Sequence, residues 1–199
     1  MPPVTKLLLI ANVAVYILQQ LLGDILIIWF GLWPFHVPAN FGASFMPWQV
    51  ISYGFLHGGL MHIGFNMLAL YMFGGQIEQV FGARRFLIYY LGCIFAAAIA
   101  QLAVTSLSGG DPYPTVGASG GVFGLLLAYG LFFPHRRVLL IFPPIPMPAW
   151  LFVTLYGLLE IYLGVTGTQS GVAHFAHLGG MLGGWLLIQQ WRKKNPNQP

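Results

Sequence analysis

The near absence of charge constrains this chain more than any other feature of its sequence. Among its 199 residues, 8 are Lys or Arg and 4 are Asp or Glu, so 6% are charged while 57% are hydrophobic. Soluble domains carry about 25% charged residues. Because so few charges cannot cover a water-facing surface, the sequence predicts an integral membrane protein embedded in a lipid bilayer.

Six segments are apolar and long enough to cross a bilayer as helices, which takes about 20 residues. Between the first two, residues 23–59 combine aromatic residues with Pro and Gly, which argues against another span. Trp favours the membrane interface, so we expect a structured, partly embedded interfacial loop. The sequence therefore predicts an all-α, polytopic, six-transmembrane-helix bundle in one domain, residues 1–199. The predicted spans are residues 6–22, 60–78, 86–106, 115–133, 148–167 and 173–191.

Basic residues all fall on one side of this predicted topology, in small groups between or beyond the spans. The positive-inside rule then predicts that both termini are cytoplasmic. Scattered groups of this kind indicate topology rather than a nucleic-acid-binding surface, so no nucleic-acid partner is expected. These residues are Lys6, Arg84, Arg85, Arg136, Arg137, Arg192, Lys193 and Lys194.

Polar residues in three predicted spans converge at one depth. Ser119 and His177 each lie about four residues inside the outer end of a span, or roughly 6 Å at 1.5 Å per residue. His62 and Asn66 lie near the outer end of the second span and share a helix face at i, i+4. Polar groups inside a bilayer are costly and usually functional. We therefore expect these four side chains to form one site.

Glycines in the fourth and sixth spans predict how closely those helices pack. Each span carries two overlapping pairs of glycines four residues apart, a spacing that lets helix backbones approach closely. If the two spans meet on these faces, Ser119 and His177 come within hydrogen-bonding distance, about 2.6–3.2 Å. His177 would then accept the serine proton. The glycines are Gly117, Gly120, Gly121 and Gly124, and Gly179, Gly180, Gly183 and Gly184.

A serine, a base and hydrogen-bond donors for an oxyanion together indicate acyl transfer, most simply peptide hydrolysis. His62, Asn66 and the backbone N–H of Ser119 are the expected oxyanion donors. Phe123, one turn after Ser119, either packs on the His177 imidazole or belongs to the core. The fourth and sixth spans contain no acid, so the sequence predicts a dyad. Glu160 in the fifth span is expected to be solvated at the interface rather than to carry protons.

A metal site is the main chemical alternative, because four histidines lie near the outer side. No acid or paired cysteine is expected beside them, so neither a metal nor another cofactor is predicted. Residues 117–121 match the GxSxG nucleophile-elbow motif, but that motif requires a strand–turn–helix context, which this sequence lacks. A transporter would show inverted repeats and polar sites at mid-membrane, which are absent from the sequence. The four histidines are His57, His62, His174 and His177.

The chain resembles the rhomboid family of intramembrane serine proteases from Trp48 to Trp185. The motifs that carry the resemblance are HGGLMHIGFN at 57–66, GASG at 117–120 and AHFAHLGG at 173–180, and EQVFG at 78–82 also fits. Two positions depart from the family pattern. Gln49 follows Trp48 where a Trp-Arg pair is common, and Phe123 stands where many members have Tyr.

The resemblance implies that Ser119 is the nucleophile and His177 the base, with His62 and Asn66 assisting the oxyanion and Phe123, Gly117, Gly120 and Gly180 packing the site. It implies cleavage of transmembrane segments near small or helix-breaking residues. Substrates would enter near spans two and five, under a cap around residues 166–173. The short loops suggest a bacterial cell membrane. The alternative is a catalytically silent rhomboid-like protein that binds transmembrane helices.

Overall fold

A computed structural model describes residues 1–108, 112–139, 144–167 and 172–194 of the chain. These residues form helices joined by short connections, with one two-stranded antiparallel hairpin that the sequence did not predict. The α-helices are α1 Pro3–Leu22, α2 Ile25–Phe30, α3 Gln49–Ser52, α4 Leu60–Ala69, α5 Gly75–Phe81, α6 Ala83–Ser108, α7 Ser119–Phe132, α8 Ala149–Thr166 and α9 His174–Lys194, and short 3₁₀ helices lie at Ala39–Phe41 and Tyr53–Phe55. The strands are β1 Arg137–Leu139 and β2 Pro146–Pro148.

The helical, polytopic membrane fold predicted from composition is confirmed. Within the described ranges, α1, α6 and α8 are each long and apolar enough to cross a membrane. A π-helical turn, Leu70–Gly74, joins α4 to α5 without a break, so the predicted second span is one helical run. Helix α7 is apolar but has only 14 residues, and it begins four residues later than the predicted fourth span.

The glycines of α7 and α9 bring three helices together, not two. A Cβ at Gly180 would collide with the backbone of Gly120, which confirms close approach of α7 and α9. A Cβ at Gly121 would lie 2.6 Å from the Tyr90 ring, and one at Gly183 would collide with Ala96. Both of those contacts are with α6. Small residues therefore set the distances between α6, α7 and α9, which is the usual solution for helix packing in lipid.

The first loop is structured, and Gln49 holds it together. Its side chain is fully buried. The Gln49 Oε1 accepts a hydrogen bond from the N–H of Trp33 at 3.2 Å, while Nε2 donates to the carbonyls of Trp29 at 3.3 Å and Ser44 at 3.1 Å. One amide thus satisfies three backbone groups across residues 29–44. The structured loop is as predicted, and its partial insertion in the bilayer stays a prediction.

Basic residues from separate segments lie at one end of the bundle. The Arg85 guanidinium lies 5.8 Å from the Trp191 ring centre, and that of Arg192 lies 5.5 Å from the Phe132 ring centre. We call this the basic end. Since Phe132 is the last residue of α7 and Ser119 the first, the serine lies at the opposite end of that helix.

Candidate active site

Ser119 is the first residue of α7, because contacts of Thr115 and Gly117 with distant segments hold the preceding chain in a non-helical path. Thr115 pairs with Leu32 in an isolated antiparallel bridge, and the N–H of Gly117 donates to the carbonyl of Tyr53 at 3.0 Å. Gly117 has φ +135°, a conformation that side-chain-bearing residues rarely adopt. The helix therefore begins at Ser119 and not four residues before it, while the predicted depth of the serine in the membrane stays a prediction. As a first helical residue, Ser119 has no intrahelical acceptor for its N–H, which leaves that donor available.

Ser119 and His177 form a direct hydrogen bond, as the glycine spacing predicted. The distance from Ser119 Oγ to His177 Nε2 is 2.8 Å, which suits a hydroxyl donating to a bare imidazole nitrogen. His177 lies in the first turn of α9 and is buried, while Ser119 is half-buried. The backbone contact between Gly120 and Gly180 lies one residue after Ser119 and three after His177, and it brings the two helices close enough for this bond.

Phe123 packs on the imidazole of His177. The two rings are stacked with their centres 4.2 Å apart and their planes 7° apart. Tyr156 of α8 also contacts Phe123, and the centres of these two rings lie 5.8 Å apart. Phe123 therefore has both of the roles considered for it, because it contacts the imidazole and is also buried in the core.

His62, Asn66 and Ser119 line the same pocket. A Cβ at Gly117 would lie 2.8 Å from His62 Nε2, so this glycine leaves the space that the imidazole occupies. The Nδ1 of His62 is 3.3 Å from the N–H of Gly58, for which it is the acceptor. Asn66 Nδ2 donates to the carbonyl of His62 at 2.9 Å. The predicted oxyanion donors are thus near the serine, and their role stays a prediction.

Glu160 contradicts the sequence analysis. It was expected to be solvated at the interface, but it is buried, with 5% of its surface exposed. Its Oε2 lies 2.9 Å from His177 Nδ1 and 2.7 Å from His174 Nδ1. Helix α8 packs against α9 and places the carboxylate beside both histidines. This acid lies in the fifth predicted span, 17 residues before His177, so the lack of acids in the fourth and sixth spans did not reveal it.

An acid therefore does accompany two of the four histidines, contrary to expectation. The nearest ligand atoms of Glu160, His174 and His177 all lie within 4.8 Å of one another, close enough to consider a metal ion. However, tetrahedral zinc with ligands at about 2.0–2.2 Å separates them by about 3.4 Å. The observed distances of 2.7 and 2.9 Å are those of N–H···O hydrogen bonds. Hydrogen bonding explains this cluster without a metal.

A pocket of about 670 Å³ opens at the Ser119–His177 pair. Its lining includes His62 and Asn66 of α4, Met72 of the π-helical turn, and Phe152 and Tyr156 of α8. The pocket is elongated, reaching β1 toward the far end of α7. It lies where the family resemblance implied substrate entry, between spans two and five. The implied cap around 166–173 falls mainly on residues 168–171, outside the described residues.

His57 is a buried neighbour of this site. Only 2% of its surface is exposed, and its ring centre lies 5.2 Å from that of His62 in an edge-to-face arrangement. Burial, together with the nearby His62, lowers the pKa of His57 to about 4. The imidazole is therefore neutral at physiological pH.

Fold and site together define a polytopic helical membrane protein with a serine–histidine pair at the start of a buried helix. A family model for the rhomboid domain matches residues 44–193. The chain belongs to the rhomboid family. This agrees with the resemblance carried by the three motifs around His62, Ser119 and His177.

Individual relatives agree with this assignment. The chain is 31% identical over 190 residues to Rhomboid protein 1, mitochondrial, of Saccharomyces cerevisiae, which covers 83% of this chain and 51% of that protein. It is 28% identical over 197 residues to the rhomboid protease GlpG of Yersinia pestis, and the match covers 97% of this chain and 64% of that protein. It is 31% identical over 141 residues to the rhomboid protease GluP of Bacillus subtilis, covering 70% and 25%. The chain thus spans less than two thirds of the length of each.

Proposed function

We propose that this protein is an intramembrane serine endopeptidase, which hydrolyses peptide bonds in or near the transmembrane segments of other membrane proteins. The observation that carries the proposal is the 2.8 Å hydrogen bond between Ser119 Oγ and His177 Nε2, two residues that line one pocket. A serine alcohol is a weak nucleophile without a base at this distance. The family and the proteases among its relatives support the same reaction class.

Ser119 and His177 would act together in both steps of the reaction, acylation of the serine and hydrolysis of the acyl-enzyme. Ser119 Oγ attacks the substrate carbonyl carbon, its proton passes to His177 Nε2, and the carbonyl π electrons move to the oxygen. Collapse of this intermediate breaks the C–N bond, and the departing amine takes the proton from Nε2. Water then attacks the acyl-enzyme ester by the same route, with His177 first accepting and then returning a proton to Ser119 Oγ.

The negative charge on the substrate oxygen would be stabilised by His62, Asn66 and the N–H of Ser119. Because His62 Nδ1 accepts from the N–H of Gly58, its proton is on Nε2, the nitrogen that faces Gly117 beside the serine. The N–H at the start of α7 adds the partial positive charge of a helix N-terminus. Such donors are typically worth about 10²–10³ in rate each.

The substrate class follows from the walls of the pocket. Apolar side chains of α4 and α8 suit a transmembrane segment, and the polar groups concentrate at the serine end. A helical segment must expose its peptide carbonyl before Ser119 can attack it, which favours small or helix-breaking residues at the cleavage site. No cofactor takes part in this reaction.

The proposed topology has both termini and the basic end in the cytoplasm, with the active site opening to the outer side of a bacterial cell membrane. It is supported by the basic residues that gather at one end of the bundle and by the position of Ser119 at the opposite end of α7. Cysteine accessibility on intact cells, at positions in 195–199 and in the first loop, tests it. Labelling of the tail from outside would contradict it.

The activity is tested with purified protein in liposomes and a panel of single-span substrates. We expect one cut per substrate near the outer end of its span, located by mass spectrometry, and complete loss with Ser119→Ala. The alternative, a silent rhomboid-like binder of transmembrane helices, predicts substrate capture without cleavage. The intact Ser119–His177 bond favours the enzyme. Cleavage that survives Ser119→Ala would contradict both proposals for this site.

A further inference from the structure

Glu160 is a buried carboxylate with an unusual set of neighbours. It lies on α8, which carries no other charged residue, yet only 5% of its surface is exposed. A single oxygen, Oε2, is hydrogen-bonded to Nδ1 of both His174 and His177. A buried carboxylate is costly unless donors satisfy it. Two imidazole N–H groups satisfy this one, and one of them belongs to the proposed catalytic base.

The hydrogen bond to Glu160 decides where His177 carries its proton. A neutral imidazole holds one proton on either nitrogen, and the partner of one nitrogen fixes the state of the other. A carboxylate oxygen accepts, so at 2.9 Å it selects the form with hydrogen on Nδ1. Nε2 is then bare, which is the state needed to accept the proton of Ser119 at 2.8 Å.

We propose that Glu160 is a positioning residue that completes a Ser119–His177–Glu160 triad. It fixes the tautomer and orientation of His177, and it stabilises the imidazolium that forms when Nε2 takes the serine proton. The proton on Nδ1 stays with His177 throughout. This inference rests on the proposed protease function, and it replaces the dyad expected from sequence with three groups on α7, α9 and α8.

His174 completes the arrangement by holding the carboxylate. Its Nδ1 lies 2.7 Å from the same oxygen, so this second N–H helps to hold Glu160 in place. The remaining nitrogen of His174, Nε2, is buried and makes no hydrogen bond in the described part of the chain. A bare nitrogen there agrees with a proton on Nδ1 and a donated hydrogen bond to Glu160. His174 thus acts on catalysis only through the carboxylate.

The test compares Glu160→Gln with Glu78→Gln in the full-length protein. Glu78 is the matched control, because it is also buried and accepts three hydrogen bonds, from the N–H groups of Val4 and Thr5 and from Thr5 Oγ1. Both changes replace a buried carboxylate by an isosteric amide. They differ in that only Glu160 contacts His177.

For Glu160→Gln we expect kcat to fall by about 100-fold or more, with KM changed less than about threefold, since loss of the correct tautomer costs up to about 10⁴ in serine proteases. Glu78→Gln should lower thermal stability without changing kcat of the folded protein. In ¹⁵N-histidine-labelled samples, His177 should be protonated at Nδ1 in the wild type and at a mixture of nitrogens in Glu160→Gln. An unchanged kcat or an unchanged tautomer in Glu160→Gln would overturn the inference.

Two substitutions of His174 give an independent test should Glu160→Gln fold poorly. His174→Asn keeps an N–H donor near the position of Nδ1, whereas His174→Leu removes it. We expect near-wild-type kcat for the first and a loss of about 3- to 10-fold for the second, as for one hydrogen bond to a charged group. Equal kcat values for the two variants would contradict the inference.

Failure of this inference and failure of the proposed function are distinguishable. A wild-type protein that neither cleaves substrates nor reacts with a fluorophosphonate contradicts the protease proposal, whatever Glu160 does. The ¹⁵N spectrum reports the tautomer without any activity, so it tests the role of Glu160 in either case. An active wild type with an equally active Glu160→Gln contradicts the positioning role alone.

Discussion

The imidazole of His177 lies parallel to the ring of Phe123, with ring centres 4.2 Å apart and planes 7° apart. A stacked aromatic face restricts rotation of the imidazole about its χ2 axis while leaving both nitrogens free for hydrogen bonds in the ring plane. Those nitrogens contact Ser119 and Glu160. The base is therefore held by packing on its face and by polar groups on its edges.

Phe123→Leu should lower kcat/KM because it removes the flat surface on which His177 rests. Aromatic pairs contribute about 0.5–1.5 kcal/mol beyond burial, which corresponds to a loss of about 2- to 10-fold. Phe123→Tyr should retain activity, since it keeps the ring. The control is Phe132→Leu, which alters an aromatic contact with Phe81 at the basic end. Equal kcat/KM for Phe123→Leu and wild type would show that stacking has no catalytic role.

Gly180→Ala should separate α7 from α9 and reduce both stability and activity. Its new Cβ would collide with the backbone of Gly120, which cannot move aside as a side chain can. Overpacking of this kind typically costs about 1–3 kcal/mol. Gly157→Ala on α8 is the control, because its Cβ would lie at an ordinary 3.6 Å from Met181 Cε. Thermal unfolding and substrate cleavage measure the two effects. Wild-type cleavage by Gly180→Ala would contradict the requirement for close approach.

Gln49→Leu should loosen the first loop. The substitution leaves the N–H of Trp33 and the carbonyl of Ser44 without a partner, whereas the carbonyl of Trp29 still accepts from Trp48 Nε1 at 2.9 Å. Each unsatisfied buried group costs about 1–3 kcal/mol, so for two groups we expect a destabilisation of about 2–6 kcal/mol and faster proteolysis within residues 29–48. Gln79→Leu, at an exposed position on α5, should change stability by less than about 0.5 kcal/mol. Equal proteolysis rates would contradict the bracing role of Gln49.

The buried His57 predicts acid sensitivity. Its pKa falls from an ordinary 6.5 to about 4 in the folded protein. Below pH 6.5 the unfolded chain takes up a proton that the folded chain does not, so stability is full above pH 6.5 and declines as the pH falls to 4. At about 1.4 kcal/mol per pH unit between 6.5 and 4, the loss in the free energy of unfolding reaches about 3 kcal/mol.

His57→Phe isolates this effect, because the ring remains and the titration is lost. Unfolding midpoints of the two proteins, measured from pH 7.5 to pH 4, should diverge as the pH falls, with the variant retaining more of its stability. Parallel curves would show that His57 does not contribute to the acid sensitivity.

The fold and the central contact were predictable because they depend on local patterns. Apolar runs of span length predicted the helical membrane fold, and glycines spaced by four predicted the approach that joins Ser119 to His177. The start of α7 at Ser119 was not predictable from hydropathy, since residues 115–118 are apolar enough to continue a span. Their non-helical path depends on the bridge between Thr115 and Leu32, a contact between distant segments.

The burial of Glu160 was not predicted, because the sequence of a single helix does not show which of its faces packs against other helices. A carboxylate near a span end looks solvated when its helix is considered alone. The sequence did contain one indication that Glu160 faces the bundle. Tyr156, Glu160 and Gly164 are spaced four residues apart, which places them on one face of α8. In the structure Tyr156 contacts Phe123, and a Cβ at Gly164 would lie 3.2 Å from His174, so this face packs against α7 and α9.

The rate at which a fluorophosphonate modifies Ser119 tests the central claim most directly, because the reaction needs an activated serine but no substrate recognition. Mass spectrometry of the labelled wild type should locate the adduct on Ser119 and not on Ser106, whose hydroxyl bonds the Leu102 carbonyl of its own helix. His177→Ala should slow labelling by about 100-fold or more. A wild type that is not labelled at Ser119, or labelling that proceeds equally fast without His177, would contradict the proposed nucleophile and base.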